Sequence, residues 1–205
     1  MKEPIRILIV DDHAVMRMGL TSLLNTKADF KVVCDAETGE EALEKYARHR
    51  PDVVIMDLMI PGMSGLEITR RILADDPAAK VLILTTYSTS SGIAAALEAG
   101  AKGALLKSAP FGEITLAIRE VRAGRAYVAK EITRILAEDP PTKALTPRQL
   151  TIMEQMARGL SNAEIAKTLS ISEDVVKNHV IAILARLEAA NRTEAVSIAY
   201  RHHLI

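Results

Sequence analysis

Val53-Val54-Ile55-Met56-Asp57-Leu58-Met59-Ile60-Pro61-Gly62 decides the fold. The apolar run shows no polar alternation, as expected of a parallel strand buried on both faces by helices. It closes on a carboxylate and a Pro-Gly turn. A side chain there projects into the crevice where open α/β sheets bind ligands. Asp11-Asp12 close an earlier strand of the same type, Ile5 to Val10. Lys107 closes a later one, Ala104-Leu105-Leu106, and Thr85 ends Val81–Thr85.

Outward from this stretch, residues 1 to about 125 alternate two periods. Strands are expected at Ile5–Val10, Lys31–Cys34, Val53–Asp57, Val81–Thr85 and Gly103–Leu106. Helical patterns lie between them. One runs from Ala14 to Asn25 with Val15, Met18, Leu20, Leu23 and Leu24 inward. Another opens at Thr38-Gly39-Glu40-Glu41, a capping-box pattern. Others cover Gly65–Leu73, Ser91–Ala99 and Glu113–Ala123. Five strands alternating with five helices predict an α/β domain, a five-stranded doubly wound parallel sheet with helices on both faces.

From 126 to 144 the pattern changes. Lys130–Ala137 is compatible with a short helix, and Glu138-Asp139-Pro140-Pro141-Thr142-Lys143 reads as a charged, Pro-rich linker. Residues 145–205 are expected to be a small all-α domain of four helices, near 147–158, 162–168, 173–187 and 192–202. Thr146-Pro147-Arg148-Gln149 and Ser161-Asn162-Ala163-Glu164 are capping boxes, and Ser172 caps the third helix.

Composition fits 205 residues in one large or two small domains, with 49% apolar and 25% charged residues. The formal net charge is zero, so any nucleic-acid signal has to be local. Cys34 is the only cysteine, which excludes an intrachain disulfide and suits a cytoplasmic protein. Its strand setting predicts an inert core thiol. No apolar run long enough to span a membrane is present, and no signal peptide is expected.

Clustered carboxylates repel unless a cation joins them. Carboxylate oxygens at Asp11, Asp12 and Asp57 suit octahedral Mg²⁺. With that charge lowered, Asp57 can act as a carboxylate nucleophile toward phosphorus. Lys107 then pairs with phosphoryl oxygens, and Thr85 offers a hydroxyl donor, although a one-residue slip would put Thr86 in its place. A lone strand-end aspartate is usually a turn or helix cap. Five such residues on neighbouring strand ends of one sheet are not explained that way. His13 is read as the start of the first helix rather than as a chemical group.

Val10-Asp11-Asp12-His13, Ile55-Met56-Asp57-Leu58, Leu84-Thr85-Thr86 and Leu106-Lys107 resemble the motifs of response-regulator receiver domains, over residues 5–123. The resemblance implies a flavodoxin-like fold. It also implies a phosphohistidine donor on a sensor histidine kinase, and Mg²⁺ held by the acidic residues and the carbonyl of Met59. The family often carries an aromatic that swings inward at the position of Ala104, so the signal is expected to leave by another surface. Candidates are the helix near Ser91, or the first and last receiver helices packing against those of a partner.

Gly159-Leu160-Ser161-Asn162-Ala163-Glu164-Ile165-Ala166, Ser172-Glu173-Asp174-Val175-Val176-Lys177-Asn178-His179-Val180 and Asn191-Arg192-Thr193-Glu194-Ala195-Val196 resemble the helix-turn-helix domain of NarL/FixJ (LuxR-type) regulators. In the third helix, Val176, Val180, Ile183, Leu184 and Leu187 form one core stripe. The opposite face carries Asn178, Ile181, Ala182 and Ala185, flanked by Lys177 and Arg186, and Lys177, Asn178, Ile181, Ala182 and Arg186 are the candidate contacts to a major groove of double-stranded DNA. His179 is read as structural. Residues 143–205 hold eight Lys/Arg and six Asp/Glu, a net of only +2. Phosphate attraction by one copy is then weak, and useful affinity needs a homodimer. Ala195, Val196, Ile198 and Ala199 offer a small-residue face for pairing, or else close the helical core.

The expected function is a two-component transcriptional regulator, in which phosphorylation of Asp57 controls dimerisation and DNA binding. No autonomous enzyme is expected. Alternatives are a constitutive DNA binder with a phosphorylation-independent receiver, and a phosphorylation-gated adaptor that docks a protein.

Overall fold

The apolar runs line up side by side as one parallel sheet. A computed structural model describes residues 3–86, 90–138, 145–187, 189–202 and 204–205. The chain divides into two units, Met1–Pro140 and Pro141–Ile205.

In the first unit the strands are β1 (Ile5–Val10), β2 (Phe30–Ala36), β3 (Val53–Met56), β4 (Val81–Thr85), β5 (Gly103–Leu106) and β6 (Tyr127–Val128). Their order is β2-β1-β3-β4-β5-β6, and every pairing is parallel. The helices are α1 (Ala14–Asn25), α2 (Gly39–His49), α3 (Gly65–Asp75), α4 (Ser90–Glu98), α5 (Phe111–Arg122) and α6 (Lys130–Glu138). α2, α3, α4 and α6 pack in succession on one face of the sheet. α1 and α5 border a common groove on the other. All residues of β3 and β4 are buried, which is why neither run alternates.

Three expectations need correction. The sheet has six strands, not five. β6 lies at the open edge of β5, where Tyr127 and Ala129 N–H groups donate to the carbonyls of Lys102 and Ala104. Gly103 admits it, since a Cβ there would stand 2.5 Å from the Tyr127 carbonyl oxygen. The segment from 126 to 138 therefore folds onto the α/β unit, with Ile132 fully buried, rather than standing apart as a linker. Residues 139–143 of the expected linker lie outside the described residues.

The second correction is α1. Leu20 and Leu24 face inward, but Val15 is 84% and Met18 72% exposed, and Leu23 is exposed too. The helix carries more apolar residues than the sheet can cover. The third is the box at Thr38. Its hydroxyl accepts from the Glu41 N–H, but the Glu41 carboxylate turns to Lys45 Nζ at 2.7 Å, so only half the box forms.

The second unit contains α7 (Pro147–Ala157), α8 (Asn162–Leu169), α9 (Glu173–Arg186) and α10 (Arg192–Arg201) around its own core of Ile152, Met153, Ile165, Val176, Ile183 and Ala199. Both expected boxes form, at Thr146/Gln149 and Ser161/Glu164, and Ser172 accepts from the Val175 N–H. α8 ends at Ser170 in the left-handed region (φ 52°), which turns the chain sharply into α9. Among the described residues no helix is long and apolar enough to cross a membrane.

The α8 cap gives a test of stability. The Ser161 hydroxyl and backbone N–H hold the Glu164 carboxyl below its ordinary value. A carboxyl depressed in this way contributes fully above its unfolded value, and loses the contribution as pH falls through the lower folded one. Ser161→Ala should cost about 1 kcal/mol at neutral pH in urea unfolding. The deficit should narrow in acid, where protonation of Glu164 removes the carboxylate half of the wild-type box, and should not vanish, because the Ser161 hydroxyl still accepts from the Glu164 N–H.

Candidate functional site

The strand ends bring the acidic residues together because β1 and β3 run in register. Val10 pairs with Met56, so the next residues, Asp11 and Asp57, stand side by side. The Asp57 N–H donates to the Val10 carbonyl at 2.9 Å, which extends the ladder into the site. β4 and β5 do the same on the other side. Thr85 pairs with Leu106, and the Lys107 N–H donates to the Thr85 carbonyl at 2.7 Å.

Lys107 Nζ lies 2.7 Å from Asp57 Oδ2 and 2.6 Å from Asp11 Oδ2, and all three side chains are buried. Burial opposes the charge on Lys107. Hydrogen bonds to Asp11 and Asp57, with their fields, outweigh it and hold the ammonium above its usual range. Asp57 Oδ1 accepts from the Met59 N–H at 3.3 Å, which ties the following loop to the carboxylate. Gly65 makes the loop possible. Its N–H donates to the Leu58 carbonyl at 3.1 Å, and a Cβ there would lie 1.9 Å from the Asp57 carbonyl oxygen.

Two buried side-chain atoms among the described residues have no hydrogen-bond partner: Asp12 Oδ1 and Thr85 Oγ1. Both belong to this pocket by strand position. His13 Nδ1 stands 2.7 Å from Asp12 Oδ1, but outside hydrogen-bond geometry. An unpaired buried polar atom is costly, and each keeps an open acceptor position. Thr86, by contrast, is exposed on the groove beside Lys107.

The pocket fits a hard divalent cation. Asp11, Asp12, His13 and Asp57 each place a donor atom within 4.8 Å of the others. The three carboxylates are the oxygen donors Mg²⁺ prefers, and Asp12 Oδ1 makes no hydrogen bond that such an ion would have to replace. His13 is the N-terminal flanking residue of α1, and its side chain is largely exposed.

In the second unit, Lys177, Asn178, Ile181 and Ala182 share the exposed face of α9, with Val176, Ile183 and Leu187 buried behind them. His179 is half-buried. Arg186 departs from expectation. Its Nη1 donates to Gln149 Oε1 at 3.0 Å, bracing the capping box of α7 instead of facing outward with the others. Ala195 and Ala199 are fully buried in the unit's own core, with Val196 and Ile198 half-buried against it. Ala195 and Ala199 therefore close the domain's own core.

Sequence reasoning missed Arg17, Gly65 and Arg192. Arg192 is half-buried and bonds Asn162 Oδ1 at 3.2 Å and the Leu160 carbonyl, tying α10 to the start of α8. Each acts on a backbone group or a loop, where side-chain patterns are silent.

Comparison with known proteins agrees with both halves. Residues 7–119 match the family model of the response regulator receiver domain. Residues 143–199 match that of bacterial regulatory proteins, luxR family. The response regulator protein VraR of Staphylococcus saprophyticus is 36% identical over 207 residues, spanning 98% of this chain and 99% of that one. The crystal structure of response regulator ChrA, from a heme-sensing two-component system, is 39% identical with a TM-score of 0.60 and covers all of both chains. That of a LuxR-family response regulator from Aurantimonas sp. SI85-9A1 is 38% identical with a TM-score of 0.63, over 66% of this chain and 96% of that one.

Proposed function

The chain belongs to the response regulators that join a receiver domain to a LuxR-type DNA-binding domain and is a two-component transcriptional regulator, and on that premise we propose that Asp57 is its phosphoacceptor. The donor is the phosphohistidine of a cytoplasmic sensor kinase domain. An Asp57 carboxylate oxygen forms a bond to phosphorus as the phosphorus–nitrogen bond breaks, and the imidazole leaves. Asp11, Asp12, Asp57 and the Met59 carbonyl would hold Mg²⁺, which lowers the charge on the acceptor and the incoming group. Lys107 shifts from the free Asp57 carboxylate to the phosphoryl oxygens while keeping Asp11. Thr85 donates its hydroxyl to one of those oxygens. The observation that carries this reading is the buried Lys107 ammonium held between the Asp57 and Asp11 carboxylates, with Asp12 Oδ1 and Thr85 Oγ1 buried without hydrogen bonds at the neighbouring strand ends.

The output is DNA binding by two copies. The exposed apolar residues Val15, Met18 and Leu23 of α1 and Leu116 of α5 supply a face through which receivers pair. Lys177 and Asn178 of α9 approach phosphates or base edges, and Ile181 and Ala182 approach thymine methyls. Full-length protein incubated with a small acyl phosphate and Mg²⁺ should gain one phosphoryl group by intact mass. It should then dimerise in gel filtration and bind duplex DNA more tightly. Equal DNA binding with and without the phosphoryl group would leave a constitutive DNA binder in place of the switch.

Lys177→Ala should weaken DNA binding about uniformly across sequences and lower the salt slope by about one. Titrating duplex DNA at several salt concentrations measures it. An unchanged slope would take Lys177 away from the phosphates.

A further inference from the structure

Arg17 stands outside the carboxylate cluster, on α1, yet its side chain is only 11% exposed. Three acceptors hold its guanidinium. Nε donates to Asp35 Oδ2 at 2.9 Å, Nη2 to Glu37 Oε2 at 3.0 Å, and Nη1 to the carbonyl oxygen of Asp11 at 2.7 Å. The last bond matters most for the site. The Asp11 carbonyl belongs to the planar peptide unit that joins Asp11 to Asp12. Fixing that oxygen fixes the plane from which the Asp12 side chain departs.

Apart from the exposed His13 ring, no side chain among the described residues contacts the Asp12 carboxylate as an ion pair or hydrogen bond. The β1–β2 ladder ends one residue earlier, where the Asp11 N–H donates to the Ala36 carbonyl at 3.1 Å. Asp12 Oδ1 is buried without a hydrogen bond. The His13 ring stands 2.7 Å from that oxygen and the His13 N–H donates to Asp11 Oδ1 at 2.9 Å, but the peptide from which the Asp12 side chain departs has its carbonyl held by Arg17. The two flanking carboxylates make sense in the same light. Asp35 and Glu37 offset the guanidinium charge, so Arg17 supplies a fixed donor beside the pocket without adding a net positive charge that would repel a cation. A lysine carries its three donors on one nitrogen and cannot reach a carbonyl and two carboxylates as a planar fork does.

We propose that Arg17 is a positioning residue for the acid pocket: it locks the Asp11–Asp12 peptide so that both carboxylates converge on one Mg²⁺. This rests on the phosphoacceptor reading of the same pocket. The test titrates magnesium chloride into the full chain by calorimetry, for wild type, Arg17→Met, Arg17→Lys and the double variant Asp35→Asn/Glu37→Gln. Urea unfolding runs beside it.

Arg17→Met keeps the aliphatic stem and should weaken Mg²⁺ binding by about 10- to 100-fold. Arg17→Lys should recover part of the loss. The double variant keeps the guanidinium and loses the helix–strand ion pairs, so its stability should fall while its Mg²⁺ affinity stays close to wild type. A merely structural Arg17 predicts parallel losses in both variants, and that result overturns the proposal, as does wild-type affinity in Arg17→Met. Should Arg17→Met fail to fold, Arg17→Lys is compared with the double variant by the same criterion. Wild-type protein that binds no Mg²⁺ removes the phosphoacceptor reading along with this one. Wild type that binds Mg²⁺ and accepts a phosphoryl group, beside an Arg17→Met that binds equally well, removes this one alone.

Discussion

Asp57→Asn should take up no phosphoryl group from an acyl phosphate, and should show neither phosphate-dependent dimerisation nor phosphate-dependent DNA binding. The loss is complete because the substitution removes the attacking oxygen itself. Stability should not follow activity. Truncating one member of a buried ion pair usually costs several kcal/mol, because the other charge is stranded. Here Lys107 is shared, and it retains Asp11 at 2.6 Å. Asn also relieves the repulsion between two carboxylates at adjoining strand ends. The urea midpoint should therefore stay level or rise. Phosphoryl uptake by Asp57→Asn equal to wild type would move the acceptor elsewhere. A large fall in the midpoint would show that Lys107 depends on both partners.

Gly65→Ala should be the most damaging small substitution near the site. Helix propensity alone predicts a gain of at most about 1 kcal/mol, the value for a helix interior, and Gly65 is only the first residue of α3. Sterics predict the opposite. The added methyl would sit 1.9 Å from the Asp57 carbonyl oxygen and 2.9 Å from Leu58 Cα, both backbone atoms that cannot rotate aside. Overpacking of this kind costs about 3 kcal/mol, so the steric term wins. The loop after Asp57 must shift, which pulls Met59 away from the acceptor. Urea unfolding and acyl-phosphate labelling should both fall, and a stabilised Gly65→Ala would show that α3 can move back without disturbing the site.

β1, β3, β4 and β5 were legible in the sequence because helices cover both faces of the sheet, leaving apolar runs that end on chemistry-bearing residues, whereas β2 at the sheet edge showed only as the short run Val32-Val33-Cys34. β6 was not legible. Two residues carry no period, and Val128 is exposed. Topology argues against it as well. α5 lies on the α1 face, so the β5–α5–β6 crossing has the opposite hand to the crossings through α1, α3 and α4, against a strong preference. In α1 the apolar content was legible but its direction was not, since the residues surround the helix and only packing selects Leu20 and Leu24. In the site, Asp11, Asp12, Asp57, Thr85 and Lys107 could be named from strand ends alone. Arg17 could not, because its key partner is a carbonyl, which every residue has. The alanines of α10 and Arg186 were legible as types but not as directions. Small side chains serve a close-packed interior as readily as a dimer seam.

The docking of residues 127–138 onto β5 bears on where this protein can be cut. A receiver severed after residue 125 would lose the donors to the Lys102 and Ala104 carbonyls and the Ile132 plug. It would present a bare strand edge to any neighbour, and unprotected edges recruit foreign strands. Self-association of such a fragment would report the missing hem of the sheet rather than the behaviour of the intact regulator.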